Sequence, residues 1–312
     1  MRILVLGSSG LLGSTLVPEL ECLGHEIVAP TRGPHPGGPG DLRAPGAVET
    51  VLDRSGCEAA VNLVAMADVD ACEQMPEAAM QLNGDLPGRL ASACAERGIP
   101  CVHVSTDMVY DGPGPHAEFD VVPLNVYART KLEGDARVVE AGGCVLRTNF
   151  FGTSRHRSRR SFSDWLLEGF RADRELPLLG DVFFSPLRME SLCAWIGIVL
   201  QDPANGEVLN LGSRTGMTKR DFALKLANAC GHANVRERQV TLQELRLAAR
   251  RPTDMRMDVG KFEERYRTEL PSLGREIEIA ARVGTGVDLA WESSRGNSGS
   301  PMSLRAEEEG RR

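Results

Sequence analysis

The chain has 312 residues, 42% of them apolar and 25% charged, with a formal net charge of −7. That length builds one large α/β unit or two smaller ones with real cores. The acidic balance excludes a nonspecific nucleic-acid binder, and no apolar run approaches a membrane span, Leu192–Leu200 being among the longest, so neither partner is expected.

The N-terminal MRILVLGSSG reads as a strand entering a glycine turn, not as a signal peptide. Strand Arg2–Leu6 leads into Gly7, Gly10, Leu11, Leu12 and Gly13, and a helical pattern covers Leu11–Leu23. In this strand–turn–helix context such spacing points to dinucleotide binding. Gly7 permits the tight turn, Gly10 lets a pyrophosphate approach the backbone, and Gly13 lets the helix pack closely. Free amides and the helix dipole then favour the phosphate charge.

The second strand, Glu26–Pro30, runs into Thr31-Arg32, where an NAD-preferring site commonly carries an acid. Arg32 suits a 2′-phosphate, so NADPH is the expected cofactor and NADH the alternative; a solvent-facing Arg32 is the competing reading. Residues 34–45, rich in Gly and Pro, read as a surface loop. Further strands are expected at Ala59–Val64, Cys101–Ser105 and Cys144–Arg147, with helices at Pro76–Arg97 and Val126–Ala141. This alternation predicts right-handed crossovers and a Rossmann-type, doubly wound parallel sheet over residues 1–150, in the α/β class.

The strand at Cys101 ends in STDMVYDG, which puts Thr106 at a C-terminal strand edge, where open α/β sheets bind ligands. Downstream, Tyr127 and Lys131 stand four apart and share one helix face. An ammonium about 4 Å from the phenol, at an effective dielectric near 20, contributes roughly 4 kcal/mol, or about three pK units. That would bring Tyr127 near the working pH as a proton-transfer group, with Thr106 holding the reacting oxygen. The competing reading is a packed tyrosine on an exposed helix.

After residue 150 the pattern changes to a smaller α/β region, 151–292, expected to bind substrate and to send segments back to the first domain. It contains the basic run Arg155–Arg160, helices at Phe162–Arg171, Glu190–Leu200 and Lys219–Cys230, and a strand at Val208–Leu211. The basic run suits a substrate pyrophosphate or is a solvated loop. From Ser293 to Arg312 no apolar period remains, and disorder is expected. The eight cysteines and six histidines are dispersed, as reduced, mostly buried thiols of a cytoplasmic protein without a metal site.

Taken together, GSSGLLGSTL at 7–16, VNLVAMADVDACEQMPEAAMQLN at 61–83, HVSTDMVYDG at 103–112, PLNVYARTKLEGD at 123–135 and VLRTNFFG at 145–152 resemble the extended short-chain dehydrogenase/reductases. Within them the chain is similar to the dTDP-4-dehydrorhamnose reductase family. The resemblance implies NADPH-dependent hydride transfer to a 4-keto group on a nucleotide-linked deoxysugar, for polysaccharide or glycoconjugate synthesis. It implies that Tyr127 donates the proton, that Lys131 holds the nicotinamide ribose and lowers the tyrosine pKa, and that Thr106 orients the carbonyl. Asp41 and Leu42 would meet the adenine edge, and Ala65 and Met66 would run beside the cofactor. Sugar-nucleotide dehydratases carry Asp-Glu after the threonine; here Asp107 is followed by Met108, which transfers no proton. Asp107 either braces the turn or touches substrate. Departures from the family are Asn149-Phe150-Phe151-Gly152 after LRT and the basic run at 155–160. A sugar-nucleotide epimerase with a tightly held cofactor and a non-catalytic regulatory NADP-binding subunit are the alternatives, and a homodimer remains open.

Overall fold

The computed structural model describes residues 1–30, 40–155 and 159–284. Arg32, residues 156–158 of the basic run and the segment from Ser293 lie outside them. In chain order the first half comprises β1 (Arg2–Leu6), α1 (Gly13–Cys22), β2 (Glu26–Val28), α2 (Ala47–Ser55) and β3 (Ala59–Asn62). A helical run follows: α3 (Val69–Gln74), α4 (Pro76–Met80), a π-helical turn at Gln81–Asp85 and α5 (Leu86–Ala95). Then come β4 (Cys101–Thr106), a 3-10 turn at Asp107–Val109, α6 (Val126–Glu140) and β5 (Cys144–Thr148).

The second half contains β6 (Phe150–Phe151), α7 (Phe162–Arg171), β7 (Leu176–Leu179), β8 (Phe183–Phe184), β9 (Leu187–Arg188) and α8 (Met189–Gln201). It continues with β10 (Val208–Leu211), β11 (Met217–Thr218), α9 (Lys219–Ala229), β12 (Glu237–Val240), α10 (Gly260–Tyr266) and α11 (Leu273–Gly284).

Six strands form one parallel sheet in the order β10-β5-β4-β3-β1-β2. The order reverses between β1 and β3, which opens the crevice where doubly wound sheets take their ligands. Strand periodicity sorts β1 cleanly. Ile3 and Val5 join Leu16, Ile196 and Leu209 on one face, while Leu4 and Leu6 join Leu52, Leu90 and Val145 on the other. A separate core in the second half gathers Phe151, Leu166, Phe184, Phe222 and Ile277. Its strands form only two-stranded pairs, β8 with β11, β7 with β12 and β6 with β9.

Val208–Leu211, although in the second half of the chain, is the sixth strand of the main sheet, with Val208 opposite Val145. The helical region of the first half differs from the pattern expected of the sequence. The helix expected at Pro76–Arg97 is interrupted by the π turn, just before Pro87 at the start of α5. Proline has no N–H for the regular helical ladder, and a widened turn accommodates it. All eight cysteines are free, and among the described residues no helix is long and apolar enough to cross a membrane.

Candidate active site

The glycine turn is shaped by close approach. Gly7 has φ +86°, and a Cβ there would lie 2.9 Å from the Leu63 carbonyl carbon; at Gly13 a Cβ would lie 2.3 Å from the Gly7 oxygen. Only glycine meets both demands. Gly10 donates to the Gly7 carbonyl at 2.9 Å. Among the described residues the Leu11 and Leu12 amides find no protein acceptor, and they stand at the entry to α1. Such free amides fit the phosphates of a dinucleotide.

Along the β3 edge, the Met66 amide donates to Asn83 Oδ1 at 2.8 Å, and Asn83 Nδ2 donates back to the Met66 carbonyl at 3.2 Å and to Thr130 Oγ1 at 3.2 Å. Asn83, on the π turn, thus clamps the half-buried Ala65-Met66 segment to α6. Sequence reading missed it, because the widened turn that aims it inward leaves no periodic signal. Asp41 is held by Arg43 through contacts of 2.7–3.0 Å, and Leu42 packs against the core that contains Leu52. Arg89 of α5 secures the same loop, donating to the Leu42 carbonyl at 2.6 Å. A groove of about 920 Å³, lined by Arg43, Arg89 and Arg137, lies on the outer side of α5 and α6, away from Tyr127.

Thr106 ends β4 and caps the following 3-10 turn, its Oγ1 accepting the Met108 amide at 3.2 Å. Opposite it, α6 starts at Asn125, whose Oδ1 accepts the Ala128 amide at 2.8 Å while its Nδ2 donates to the Arg250 carbonyl at 2.7 Å. This cap sets Tyr127 in the first turn, 8% exposed, with the Thr106 side chain beside its phenol. The ring sits in an apolar cluster with Val69, Cys72 and Ala249, and Met108 packs against it. The structure therefore brings Thr106 and Tyr127 together at the sheet's C-terminal edge, the same edge that the glycine turn follows.

Lys131 behaves differently from the expectation of a nearby ammonium that lowers the phenol. Its Nζ lies 2.9 Å from His103 Nε2 and donates to the Val104 carbonyl at 3.0 Å. Burial brings the lysine down to about 8, against the pull of Asp135. Burial likewise pushes Tyr127 up to about 12, only partly offset by the Thr106 side chain. Desolvation outweighs the charge because the phenol, the amine and His103 are all closed off from water.

Asp107, 2% exposed, accepts from Asn149 Nδ2 at 2.6 Å. Burial raises its carboxyl to about 6, with the Asn149 bond and the Lys219 charge pulling the other way. Asn149, where the chain departs from the family it resembles, thus braces the Asp107 carboxylate. Of the basic run, Arg155 pairs with Glu19 at 2.9 Å and Arg160 with Glu168 at 3.0 Å. Among the described residues no cluster of His, Cys, Asp or Glu is placed to hold a metal.

Residues 1–282 match the family described as RmlD substrate binding domain. The chain belongs to this family. It is an oxidoreductase of the extended short-chain dehydrogenase/reductase type by that membership. It is 30% identical over 293 residues to a probable low-salt glycan biosynthesis reductase of Haloferax volcanii, covering 90% of this chain and 97% of that protein. Among solved structures, a dTDP-4-dehydrorhamnose reductase from Clostridium acetobutylicum superposes with a TM-score of 0.81 at 22% identity, over 91% of this chain and all of that one. Another, from Bacillus anthracis in complex with NADP, gives 0.79 at 21% identity over 89% of this chain and 97% of that one. At such identities these two structures establish the shared fold.

Proposed function

We propose that the chain is an NADPH-dependent reductase of the 4-keto group of a nucleotide-linked deoxysugar of the dTDP-4-dehydrorhamnose type, serving polysaccharide or glycoconjugate synthesis. The single observation that carries this reading is the Tyr127 phenol held against Thr106 at the C-terminal edge of β4. When bound, the nicotinamide supplies a hydride to the carbonyl carbon. Tyr127 gives its proton to the oxygen, Thr106 orients that oxygen by hydrogen bonding, and Lys131 meets the ribose. Gly7, Gly10, Gly13 and the Leu11 and Leu12 amides hold the pyrophosphate, with Asp41, Leu42, Ala65 and Met66 along the cofactor and Arg32 at the 2′-phosphate. Residues 1–150 hold the cofactor and 151–292 the sugar nucleotide. Met108 supports reduction over dehydration, since a thioether packed in apolar surroundings moves no proton.

The test incubates purified protein with NADPH and a panel of 4-keto-6-deoxy sugar nucleotides, following nicotinamide absorbance. Oxidation of NADPH on one substrate is the expected result. A protein that carries bound nicotinamide through purification and interconverts sugar epimers without net oxidation would overturn it in favour of an epimerase. Inertness together with stable attachment to a larger enzyme would overturn it in favour of a regulatory subunit.

A further inference from the structure

Among the described residues the Lys219 amine finds no hydrogen-bond acceptor and no ion pair, although the side chain is half-buried. Lys219 opens α9, where Thr218 Oγ1 accepts the Asp221 amide at 3.0 Å and the Lys219 amide donates to the Val182 carbonyl at 2.9 Å. Its Nζ stands 5.8 Å from the ring centre of Phe162 and 6.0 Å from that of Phe184. Met108 locates these rings. It packs against the core that holds Phe184 and Phe162, and also against the cluster that holds Tyr127. The lysine therefore lies close to the phenol, on the side of the second region. Facing it is Asp107, whose Oδ2 accepts from Asn149 at 2.6 Å. The other oxygen, Oδ1, meets the Thr106 hydroxyl at 3.5 Å, too long to occupy it. Burial holds Lys219 below its ordinary value, with Asp107 pulling it up and Arg251 pushing it down. An ammonium drawn out of water with its N–H groups unmet is costly, and a ligand oxygen relieves that cost.

We propose that Lys219 is a specificity-determining residue, its ammonium donating to the sugar hydroxyl on the carbon next to the keto group. The proposal rests on the reductase reading above. The same hydroxyl donates to Asp107 Oδ1, so a single O–H joins a fixed cation to a fixed carboxylate. Its place follows from Thr106, which orients the carbonyl oxygen and directly precedes Asp107 in the chain. Of the two carbons flanking a 4-keto group in a 6-deoxyhexose, C5 bears the methyl and the ring oxygen, so the hydroxyl is the one on C3. Charge favours this neutral group over a phosphate. Arg251 is paired with Asp70 at 3.1 Å, and Lys219 is matched by Asp107, ionised above about 6. A diphosphate here would face the Asp107 carboxylate with no surplus cation to offset it. A hydroxyl both accepts and donates, as a cation on one side and a carboxylate on the other require. The faces of Phe162 and Phe184 hold the ammonium while leaving its N–H groups for that oxygen.

The test uses the full-length chain loaded with NADP and measures, by calorimetry, binding of a dTDP-linked 6-deoxyhexose and of its 3-deoxy counterpart. In parallel, kcat/KM is measured with NADPH for the two corresponding 4-keto sugars. The wild type is expected to favour the hydroxylated member of each pair by about 10²-fold or more, since its absence leaves the lysine and the carboxylate unpaired. Lys219→Met, similar in length and uncharged, is expected to weaken the hydroxylated ligand by about 10- to 100-fold and the 3-deoxy ligand by no more than about threefold. Lys219→Gln keeps an N–H donor without the charge; it is expected to lose the same preference in part and serves if Lys219→Met does not fold. A wild type that binds both ligands alike, or variants that weaken both equally, would overturn the proposal. Selective binding without NADPH oxidation would sink the reductase reading and leave the Lys219 contact standing. Failure to bind either ligand, in a chain that holds NADP, would sink both.

Discussion

A phenol pushed up to about 12 by burial stays protonated throughout the neutral range, which suits a proton donor. Tyr127→Phe keeps the ring in its apolar cluster and removes only the proton. The expected loss in kcat is about 10²- to 10⁴-fold, with NADPH affinity unchanged in a fluorescence titration. Equal losses in both would point to a structural role. Asp107 makes a second prediction at this scale, one of stability against pH. Burial raises its carboxyl from 3.8 to about 6. A group whose folded value exceeds its unfolded one binds its proton more tightly in the fold. Its favourable contribution is therefore complete below the unfolded value near 3.8 and is lost as pH rises through about 6. The shift corresponds to roughly 3 kcal/mol, an upper figure for one buried group. Asp107→Asn removes the titration while its carbonyl still accepts from Asn149. In urea unfolding the variant is expected to exceed the wild type by about 1–3 kcal/mol at pH 7.5, with the gap closing toward pH 4. A gap that stays constant across that range would refute the assignment.

α6 carries both Tyr127 and Lys131, and its placement depends on a cap and a close crossing. Asn125 satisfies one free amide of the helix and ties the Arg250 segment to it. Asn125→Ala is expected to lower stability by about 1–2 kcal/mol, measured by urea unfolding. Gly134 faces the π turn so tightly that a Cβ would lie 2.1 Å from the Asn83 carbonyl oxygen. Gly134→Ala must push α6 away from Asn83, and a loss of about 1–3 kcal/mol is expected in the same measurement. No loss would mean that the crossing is looser than described. These contacts also mark what the sequence reveals and what it hides. Arg2–Leu6 and Phe162–Arg171 were legible to the residue, since each has its own period and clear boundaries. The Tyr127–Lys131 spacing and the end of β4 were legible because they are local. Asn83 and His103 were not, because each acquires its role from partners 17 to 47 residues away. The two-residue strands β6, β8, β9 and β11 are too short for alternation to show.

At the scale of the whole molecule, the division between cofactor and substrate regions is not a division in folding. β10 completes the sheet beside β5, and α8 covers α1, so Leu192, Ile196, Leu209 and Leu211 share one core with Ile3 and Val5. Asp70 of α3 adds ties in the other direction, accepting the Ala249 amide at 2.8 Å and pairing with Arg251 at 3.1 Å. A fragment of residues 1–150 would present the open edge of β5 and a sheet face only partly covered by α1, both prone to association. The full chain is therefore expected to unfold in one transition, with far-UV circular dichroism of the sheet coinciding with fluorescence from Trp165 of α7 and Trp195 of α8. The 1–150 fragment is expected to aggregate or bind a hydrophobic dye. Two separated transitions, together with a soluble fragment that binds NADPH, would show instead that the first half folds alone and that β10 and α8 dock afterwards as a lid on a finished sheet.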